Sequence, residues 1–286
     1  MSDHLLDIEN LGVKFPSRKG VFDAVRGISF SLGRERLGIV GESGSGKSMT
    51  GRAILRLIRS PGIVEADYIN LQGVNLLTKS EKAMRAVRGQ RISMIMQDPK
   101  FSLNPVTTIG DQIIEAYRLH NKTSRSVAHE KAIEMLHAVS IRDASRVMRS
   151  YPHEMSGGMG QRIMIAMMLI PDPDILIADE PTSALDVSVQ RQVLDIMDEM
   201  VKERGMGLIF ISHDLNLVAD FCDRVLIMYA GRVVEVCQAD QLHEAQHPYT
   251  RGLLNSLPRL NSPREHLEVL QRDPAWSEAP SVSGRL

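Results

Sequence analysis

The chain has 286 residues, of which 43% are hydrophobic, so it can bury a large core in one or two domains. Its formal net charge of −1 argues against a main task of neutralising a nucleic-acid backbone, and we expect no nucleic-acid partner. The longest apolar run, residues 163–170, falls far short of the roughly 20 residues that span a bilayer. The N-terminus shows no signal-peptide pattern, so any membrane association is expected through a partner.

The first predicted elements are two strands of an antiparallel hairpin. Residues 5–15 and 25–32 alternate loosely between apolar and polar side chains. They are separated by residues that interrupt strands, namely Pro16, Ser17 and Gly20. Phe15 and Phe22 fall near the tip of this hairpin, and Phe15, which ends a strand, is our candidate for stacking on a nucleobase. Simple packing within the hairpin is the alternative for Phe15.

A glycine-rich loop follows an apolar run at residues 37–40 and leads into a predicted helix at about residues 46–58. Its sequence is Gly41-Glu42-Ser43-Gly44-Ser45-Gly46-Lys47-Ser48. This matches the pattern G-x-x-x-x-G-K-[ST], in which glycines let successive backbone N–H groups surround a phosphate. Lys47 is then expected to neutralise the β- and γ-phosphates, Ser48 to offer its hydroxyl to Mg²⁺, and the helix dipole to favour the anion. An ordinary Gly/Ser turn is the alternative.

Two further strands are predicted at residues 68–71 and 91–96, and the second leads to Gln97. A neutral amide can contact a Mg²⁺-bound water and withdraw at little electrostatic cost, which suits a switch between nucleotide states. A single glutamine at a strand end is otherwise an ordinary surface residue. The small basic run of Arg85, Arg88 and Arg91 is interpreted as a solvated helix face or loop.

Residues 109–156 show helical periodicity and predict a helical insertion. The insertion ends at Ser156-Gly157-Gly158, before an apolar helix predicted at residues 161–170. A helix N-terminus exposed in this way can bind an anion. A common N-cap with a loop is the alternative interpretation.

Residues 174–181 form a short apolar run that ends in Asp179 and Glu180, as in a buried parallel strand whose carboxyl end meets a ligand. Two acids at such a place suit Mg²⁺ binding by Asp179 and proton acceptance from the attacking water by Glu180; a capping pair is the alternative. A tight turn at residues 183–186 and a helix to about residue 203 follow.

The next predicted strand, residues 207–212, delivers His213 to the same edge of the sheet. A histidine there can donate a hydrogen bond to the γ-phosphate, although a structural histidine is the alternative. Residues 224–229 and 232–236, joined by Ala230-Gly231, predict a hairpin. The tail from residue 261 to 286 is predicted to be extended or partly ordered. Cys222 and Cys237 lack metal-ligand spacing and are expected to be buried, reduced thiols.

Taken in chain order, these motifs resemble the nucleotide-binding subunit of an ABC transporter across nearly the whole chain. The resemblance narrows to the ATPase subunits of bacterial peptide and nickel importers through three short segments: Gln97-Asp98-Pro99, Ser102-Leu103-Asn104-Pro105 and His247-Pro248-Tyr249-Thr250-Arg251. It implies an α/β P-loop NTPase ABC cassette, with a mainly parallel core sheet, an N-terminal antiparallel β subdomain and an α-helical insertion. The implied divisions are a core at 1–98 and 157–240, helices at 99–156 and a C-terminal extension at 241–286.

The resemblance also implies how the site residues act. Two cassettes meet head to tail, so that each ATP lies between the phosphate loop of one subunit and the Ser-Gly-Gly loop of the other. Residues 41–48 then bind the nucleotide, and Ser48, Gln97 and Asp179 hold Mg²⁺. Gln97 is the coupling switch, Glu180 the base and His213 the γ-phosphate sensor. The residues that serve the facing subunit are Ser156, Gly157, Gly158 and Asp186.

By resemblance, the chain is an ATP-hydrolysing subunit on the cytoplasmic face of a bacterial inner membrane, with ATP and Mg²⁺ as cofactors. Its implied partners are a second ABC ATPase, identical or related, two membrane permease subunits and, indirectly, a periplasmic solute-binding protein. Peptides are the first expected cargo, and nickel or another small solute the alternative. A non-transport ABC ATPase in translation or DNA maintenance is the alternative class. A P-loop kinase or GTPase is a further alternative, but it leaves Ser156 and His213 without a role.

The chain departs from the family pattern at two places. Gly160 stands where a longer polar or basic residue is usual, which predicts a weaker start for the helix after the Ser-Gly-Gly loop. No cysteine follows Cys237, whereas many peptide-importer ATPases carry a C-terminal cysteine cluster for iron and sulfur. We therefore expect no iron–sulfur cluster.

Overall fold

The computed structural model describes residues 4–96, 103–183, 185–256, 270 and 272–285. The chain divides into two compact units: the first is Met1–Thr78 with Ile209–Leu286, and the second is Lys79–Leu208. Among the described residues, none of the helices combines the length and the apolar character that crossing a bilayer requires.

The first unit begins with the predicted antiparallel hairpin. Strands β1 (Leu6–Ser17) and β2 (Gly20–Leu32) pair in a register that runs from Leu6 opposite Leu32 to Ser17 opposite Gly20. Strand β1 continues through Pro16, which the sequence pattern placed outside it. Residues 12–14 of β1 also pair with a third strand at residues 63–65, and Pro16 lies beyond them. Its missing N–H therefore removes no hydrogen bond to that third strand. The connecting turn is therefore only residues 18–19.

Strand β3 (Arg36–Val40) leads through the glycine-rich loop into helix α1 (Lys47–Ile54). The strand, the loop and the helix occur in the predicted order. Helix α1 ends at Ile54, four residues before the predicted end. Arg56 adopts the left-handed conformation with φ of 52°, and its N–H donates to the carbonyl of Ala53, which closes the helix.

Three short strands complete the N-terminal sheet: β4 (Ile63–Glu65), β5 (Tyr68–Leu71) and β6 (Val74–Asn75). The strand order is β2–β1–β5–β6, and β4 also pairs with β1. All these pairings are antiparallel, which confirms the predicted antiparallel β subdomain and the strand at 68–71.

The second unit opens with helix α2 (Glu81–Val87) and strand β7 (Ile92–Ile95). Its next helices are α3 (Ile109–His120), α4 (Arg125–Ala138), α5 (Ala144–Val147), a 3₁₀ turn at Pro152–Glu154, and α6 (Gly157–Leu169). Each of the described helices α3 to α6 begins after a residue whose side chain accepts a backbone N–H of the first turn. These capping residues are Thr108, Ser124, Asp143 and Ser156. This confirms the predicted helical character of residues 109–156.

Helix α6 begins four residues before the predicted start at residue 161. The hydroxyl of Ser156 accepts the N–H of Met159, and the N–H of Gly160 donates to the Ser156 carbonyl at 2.9 Å. Gly157, Gly158 and Gly160 are therefore helical residues rather than a loop before the helix. Ile163 to Ala166 are all fully buried, so burial around the whole helix compensates for the low helix propensity of the glycines.

The second unit then contains strand β8 (Ile175–Asp179), helix α7 (Val187–Arg204) and the start of strand β9 (Gly207–Ser212). Strand β8 is buried throughout and pairs in parallel with β7, as expected for a central strand without a solvent face. Helix α7 ends at Arg204 and is capped by Gly205, whose φ of 59° is typical of a helix C-terminus.

The chain returns to the first unit with helix α8 (Leu215–Phe221), strands β10 (Arg224–Tyr229) and β11 (Arg232–Gln238), a 3₁₀ turn at Ala239–Glu244, and helices α9 (Pro248–Asn255) and α10 (Ala275–Glu278). The hairpin of β10 and β11 is confirmed, and β10 also pairs in parallel with β3. Within this unit the strand order is β11–β10–β3–β9.

Residues 272–285 pack against other parts of the first unit. Gly284 forms a parallel bridge with Phe30, and its carbonyl accepts a hydrogen bond from Arg224. Arg224 is nearly buried and also forms an ion pair with Glu35 at 2.7 Å. The end of the tail is therefore held by backbone and side-chain contacts to β2 and β10.

Both cysteines are free thiols in unreactive surroundings. Cys222 is buried, and burial raises the pKa of its thiol far above the ordinary value. Half-burial, with Glu235 and Asp240 nearby, raises the pKa of Cys237 to about 11. Only the thiolate reacts with alkylating agents, so at pH 8 both residues are expected to react with iodoacetamide much more slowly than free cysteine. Mass spectrometry of the native protein checks this; rapid labelling of Cys222 would contradict the burial.

Candidate functional site

The glycine-rich loop has a backbone conformation that residues with a side chain rarely adopt. Gly41, Gly44 and Gly46 all have positive φ, at 155°, 81° and 103°. A Cβ at Gly41 would lie 2.1 Å from the carbonyl oxygen of Met228, and one at Gly46 would lie 2.5 Å from that of Ala24. A Cβ at Gly44 would meet no atom of the described residues within 4 Å. The loop is therefore packed at its ends and open at its exposed tip.

Lys47 is the buried charge of this loop. Its side chain, in a residue only 5% exposed, donates to the carbonyl of Gly41 at 2.7 Å and to that of Glu42 at 2.9 Å. A buried ammonium needs such acceptors, and phosphate oxygens are stronger ones because they are charged. The Lys47 side chain can thus bridge the loop backbone and an anion that enters the loop.

The loop also has polar groups that are suited to bind a nucleotide phosphate. The hydroxyl of Ser45 is buried and has no hydrogen-bond partner among the described residues, which is costly unless a ligand supplies one. Helix α1 begins at Gly46 without a side-chain cap, so its positive end is left for an anion. Ser48, the second residue of α1, is half-buried beside this end, where a hydroxyl can be a ligand for Mg²⁺. These groups fit a phosphate with its metal ion.

Phe15 and Phe22 face each other across the β1–β2 hairpin. Phe15 is half-buried, and its ring lies 2.7 Å from the place where a Cβ of Gly62 would be. Phe22 is 61% exposed. The structure therefore gives Phe15 a packing contact with Gly62, and its stacking on a nucleobase stays a prediction.

His213 follows the last residue of β9 and is exposed. The next residue, Asp214, donates its N–H to the Ser212 hydroxyl at 3.0 Å and caps helix α8 through Leu217. The histidine thus projects from a tightly held strand-to-helix turn of the first unit, which also contains the phosphate loop.

Asp179 is the last residue of strand β8 in the second unit, and Glu180 follows it. Asp179 is only 1% exposed, whereas Glu180 is half-buried and has a φ of 49°. A left-handed conformation is uncommon for a residue with a side chain and is often found at functional sites. The Glu180 carbonyl accepts both the N–H and the hydroxyl of Ser183, at 3.3 and 3.2 Å. This turn holds the Glu180 backbone in place.

Gln161 connects this acidic turn to helix α6, a contact that the sequence pattern did not reveal. Its side chain is 3% exposed, and its amide donates to the carbonyl of Pro181, next to Glu180. The signal available in the sequence was a polar pair, Gln161 and Arg162, just before the apolar part of the helix. A buried amide in such a helix needs a specific partner.

The Ser-Gly-Gly segment lies at the exposed start of α6. Ser156 is exposed and caps the helix. A Cβ at Gly157 would meet no described atom within 4 Å, whereas one at Gly158 would lie 2.9 Å from the side chain of Val189, in the first turn of α7. Gly158 therefore permits close packing between the N-termini of α6 and α7. Gly157 leaves its backbone exposed, with no side chain to cover it.

Asp186 caps α7 and is exposed. Its carboxylate accepts the N–H groups of Ser188 and Val189 and the Ser188 hydroxyl, at 3.1, 3.0 and 2.7 Å. These hydrogen bonds lower the pKa of Asp186, chiefly the one from the Ser188 hydroxyl. The structure gives Asp186 this capping role, and its predicted contact with a facing subunit stays a prediction.

Each unit thus assembles part of the predicted site. The first contains the phosphate loop, Phe15 and His213; the second contains Asp179, Glu180, Ser156, Gly157, Gly158 and Asp186. Gln97 lies outside the described residues.

A strand, a glycine-rich loop with a buried lysine and a helix N-terminus together define a P-loop NTPase. Comparison with known proteins identifies the family within this class. A family model described as "ABC transporter" matches residues 25–183, and one described as "Oligopeptide/dipeptide transporter, C-terminal region" matches residues 234–283. The chain belongs to the ABC transporter ATPase family.

Curated relatives agree with this assignment. The chain is 49% identical over 260 residues to a probable peptide ABC transporter ATP-binding protein, y4tR, of Sinorhizobium fredii, covering 90% of this chain and 78% of that one. It is 46% identical over 290 residues to the glutathione import ATP-binding protein GsiA of Escherichia coli O1:K1, covering 96% of this chain. The chain spans about half, 46%, of the length of GsiA.

The fold also matches solved structures. The ATP-binding cassette MJ0796, solved as a dimer in a post-hydrolysis state with ADP and Pi, aligns with a TM-score of 0.72. The alignment covers 82% of this chain and 98% of that one at 23% identity. This likeness confirms the α/β ABC cassette fold.

Proposed function

We propose that this ABC ATPase powers the import of small peptides, as a subunit bound to the cytoplasmic face of a bacterial inner membrane. The observation that carries the proposal is the match of residues 234–283 to the C-terminal region of oligopeptide and dipeptide transporters. The relative y4tR, described as a probable peptide ABC transporter protein, supports the same cargo.

In this proposal the phosphate loop, residues 41–48, binds the ATP phosphates. Three features support this role: the open tip at Gly44, the buried Lys47 ammonium, and the buried Ser45 hydroxyl, for which the described part of the chain supplies no hydrogen-bond partner. Mg²⁺, when bound, neutralises charge on the phosphates and is held by Ser48 and Asp179, with Gln97 as the switch. Phe15 stacks on the base.

Hydrolysis requires a group that accepts a proton from water, and we assign this role to Glu180. A half-buried carboxylate in a constrained turn is suited to hold a water in one position. His213, exposed on its turn, donates a hydrogen bond to the γ-phosphate and thereby responds to its loss.

The exposed start of α6 is proposed to act on the ATP of a facing ABC ATPase in a head-to-tail dimer. The exposed Ser156 hydroxyl and the bare backbone at Gly157 are suited to contact phosphate oxygens from outside the subunit. Asp186 supports the facing subunit. The facing subunit is a second copy or a related chain.

The remaining partners are two membrane permease subunits, contacted through the helical segment 99–156, and indirectly a periplasmic solute-binding protein. Closing of the ATPase dimer on ATP and its opening after hydrolysis then move the permeases between inward- and outward-facing states.

A tagged chain expressed in its own host tests this proposal. It is expected to co-purify from detergent-solubilised membranes with two permease subunits, identified by mass spectrometry. Reconstituted in proteoliposomes with the solute-binding protein, the complex is expected to take up a radiolabelled tripeptide only with ATP. Uptake of nickel but not peptide would overturn the cargo, and purification without any permease would overturn the transport role.

A further inference from the structure

The C-terminal region contacts the phosphate loop directly, through Glu42. The backbone N–H of Glu42 donates to the hydroxyl oxygen of Tyr249 at 3.1 Å. The Glu42 carboxylate forms an ion pair with Arg272, with the closest N–O distance at 2.7 Å. Both contacts lie within the first unit. One loop residue is thus held at its backbone and at its side chain.

Tyr249 is itself held rigidly. It is fully buried, its ring centre lies 4.6 Å from that of Tyr229, and the ring of Trp276 meets it edge-on at 6.2 Å. Its backbone N–H donates to Nδ1 of His247, which caps helix α9 ahead of Pro248. The tyrosine hydroxyl is therefore an acceptor with a fixed position beneath the loop.

Tyr249 and Lys47 form hydrogen bonds with the same peptide group. The N–H of Glu42 and the carbonyl of Gly41 belong to one planar peptide, and in a trans peptide they point in opposite directions. Tyr249 accepts the N–H, and Lys47 donates to the carbonyl at 2.7 Å. Lys47 also donates to the Glu42 carbonyl at 2.9 Å. The orientation of this peptide thus links Tyr249 to the position of the Lys47 ammonium.

We propose that Tyr249 and Arg272 are positioning residues that hold the phosphate loop in its nucleotide-binding conformation through Glu42. The inference rests on the proposed binding of ATP phosphates by this loop. It gives the C-terminal region of this chain a part in nucleotide affinity. Bound phosphates replace this support by accepting the loop N–H groups themselves, so the contacts matter most before ATP binds.

Tyr249→Phe tests the hydroxyl while keeping the buried ring. Loss of one neutral hydrogen bond is expected to raise the KM for ATP by about 3- to 10-fold. The kcat at saturating ATP is expected to stay within about 2-fold, because bound ATP fixes the loop. Tyr229→Phe is the matched control. It removes a hydroxyl from the aromatic cluster that Tyr229, Tyr249 and Trp276 form. That hydroxyl is not among the described contacts of the loop.

Hydrogen exchange of the nucleotide-free protein gives a readout that a general stability effect would not reproduce. In Tyr249→Phe the Glu42 amide is expected to exchange faster, while amides of strands β1 and β8 keep their wild-type rates. In Tyr229→Phe all of these rates are expected to remain unchanged.

Arg272→Gln tests the second contact. This ion pair is largely exposed, at 59% for the arginine and 32% for the glutamate side chain, so we expect only about a 2-fold rise in KM, reduced at high salt. Arg251→Gln, at an exposed arginine of α9, is the control and is expected to match wild type.

Unchanged KM and unchanged Glu42 exchange in Tyr249→Phe would overturn the inference. An equal rise of KM in Tyr229→Phe would also overturn it, because the effect would then come from the aromatic cluster. Failure of the proposed function looks different: wild type itself would then bind no ATP, or Lys47→Ala would bind it as well as wild type.

Discussion

Replacing Lys47 with alanine is expected to raise the dissociation constant for ATP by about 100-fold or more. A charge-assisted hydrogen bond contributes about 1.5–3 kcal/mol, and the ammonium is placed to reach two phosphate groups. Each 1.4 kcal/mol or so is a tenfold change in affinity. The side chain already lies inside the loop, 2.7 Å from the Gly41 carbonyl, so it needs no large rearrangement to bind. Calorimetric titration with ATP measures the effect.

The folded state is expected to tolerate this change. Without nucleotide, the Lys47 ammonium is a buried charge that donates to the carbonyls of Gly41 and Glu42, so its replacement also removes the cost of desolvating that charge. Lys19→Ala, at an exposed lysine of the same unit, controls for the loss of one positive charge and is expected to leave ATP affinity unchanged. Undiminished ATP binding by a folded Lys47→Ala protein would contradict the role of the loop.

The strands were predictable because their signal is local. A run such as Ile175–Asp179, which is apolar up to its last residue, has no solvent face, so it fits a buried parallel strand, and the structure buries all of it. The hairpin was predicted from alternation at residues 5–15 and 25–32, and the structure extends its strands to Leu6–Ser17 and Gly20–Leu32. In both cases neighbouring residues carry the whole pattern.

The helix ends near the phosphate loop and the Ser-Gly-Gly segment were less predictable. Glycine has low helix propensity, which favoured a start at residue 161 for α6. The structure starts this helix at Gly157, because the Ser156 cap and close packing of Gly158 against Val189 outweigh that propensity. Such packing depends on a residue from another helix, which local periodicity does not show.

The loop residues of the site followed from one motif, whereas the residues that hold the loop did not. Tyr249 and Arg272 lie 207 and 230 residues from Glu42 in the chain. No periodic pattern links positions so far apart. The local signal at residues 247–249 was a histidine cap with a proline at the first helical position, which predicts the start of a helix but not its contact.

Glu180→Gln is expected to keep ATP binding and to lower the hydrolysis rate by about 10²- to 10⁴-fold, the usual contribution of a general base. The amide has nearly the same shape as the carboxylate but cannot accept the proton of the attacking water. The phosphates are bound by other residues, so the dissociation constant for ATP is expected to stay close to that of wild type. Single-turnover hydrolysis and calorimetry separate the two quantities.

The backbone at Glu180 makes this substitution a clean test. The left-handed φ of 49° is held by the two bonds from Ser183 to the Glu180 carbonyl, which the Gln variant keeps. A loss of activity therefore reports on the proton acceptor rather than on the turn. Glu199→Gln, an exposed carboxylate on α7, removes the same charge elsewhere in the unit and is expected to hydrolyse ATP normally. If Glu180→Gln did so too, another group would have to accept the proton, because the variant differs from wild type at this site only in its ability to do so.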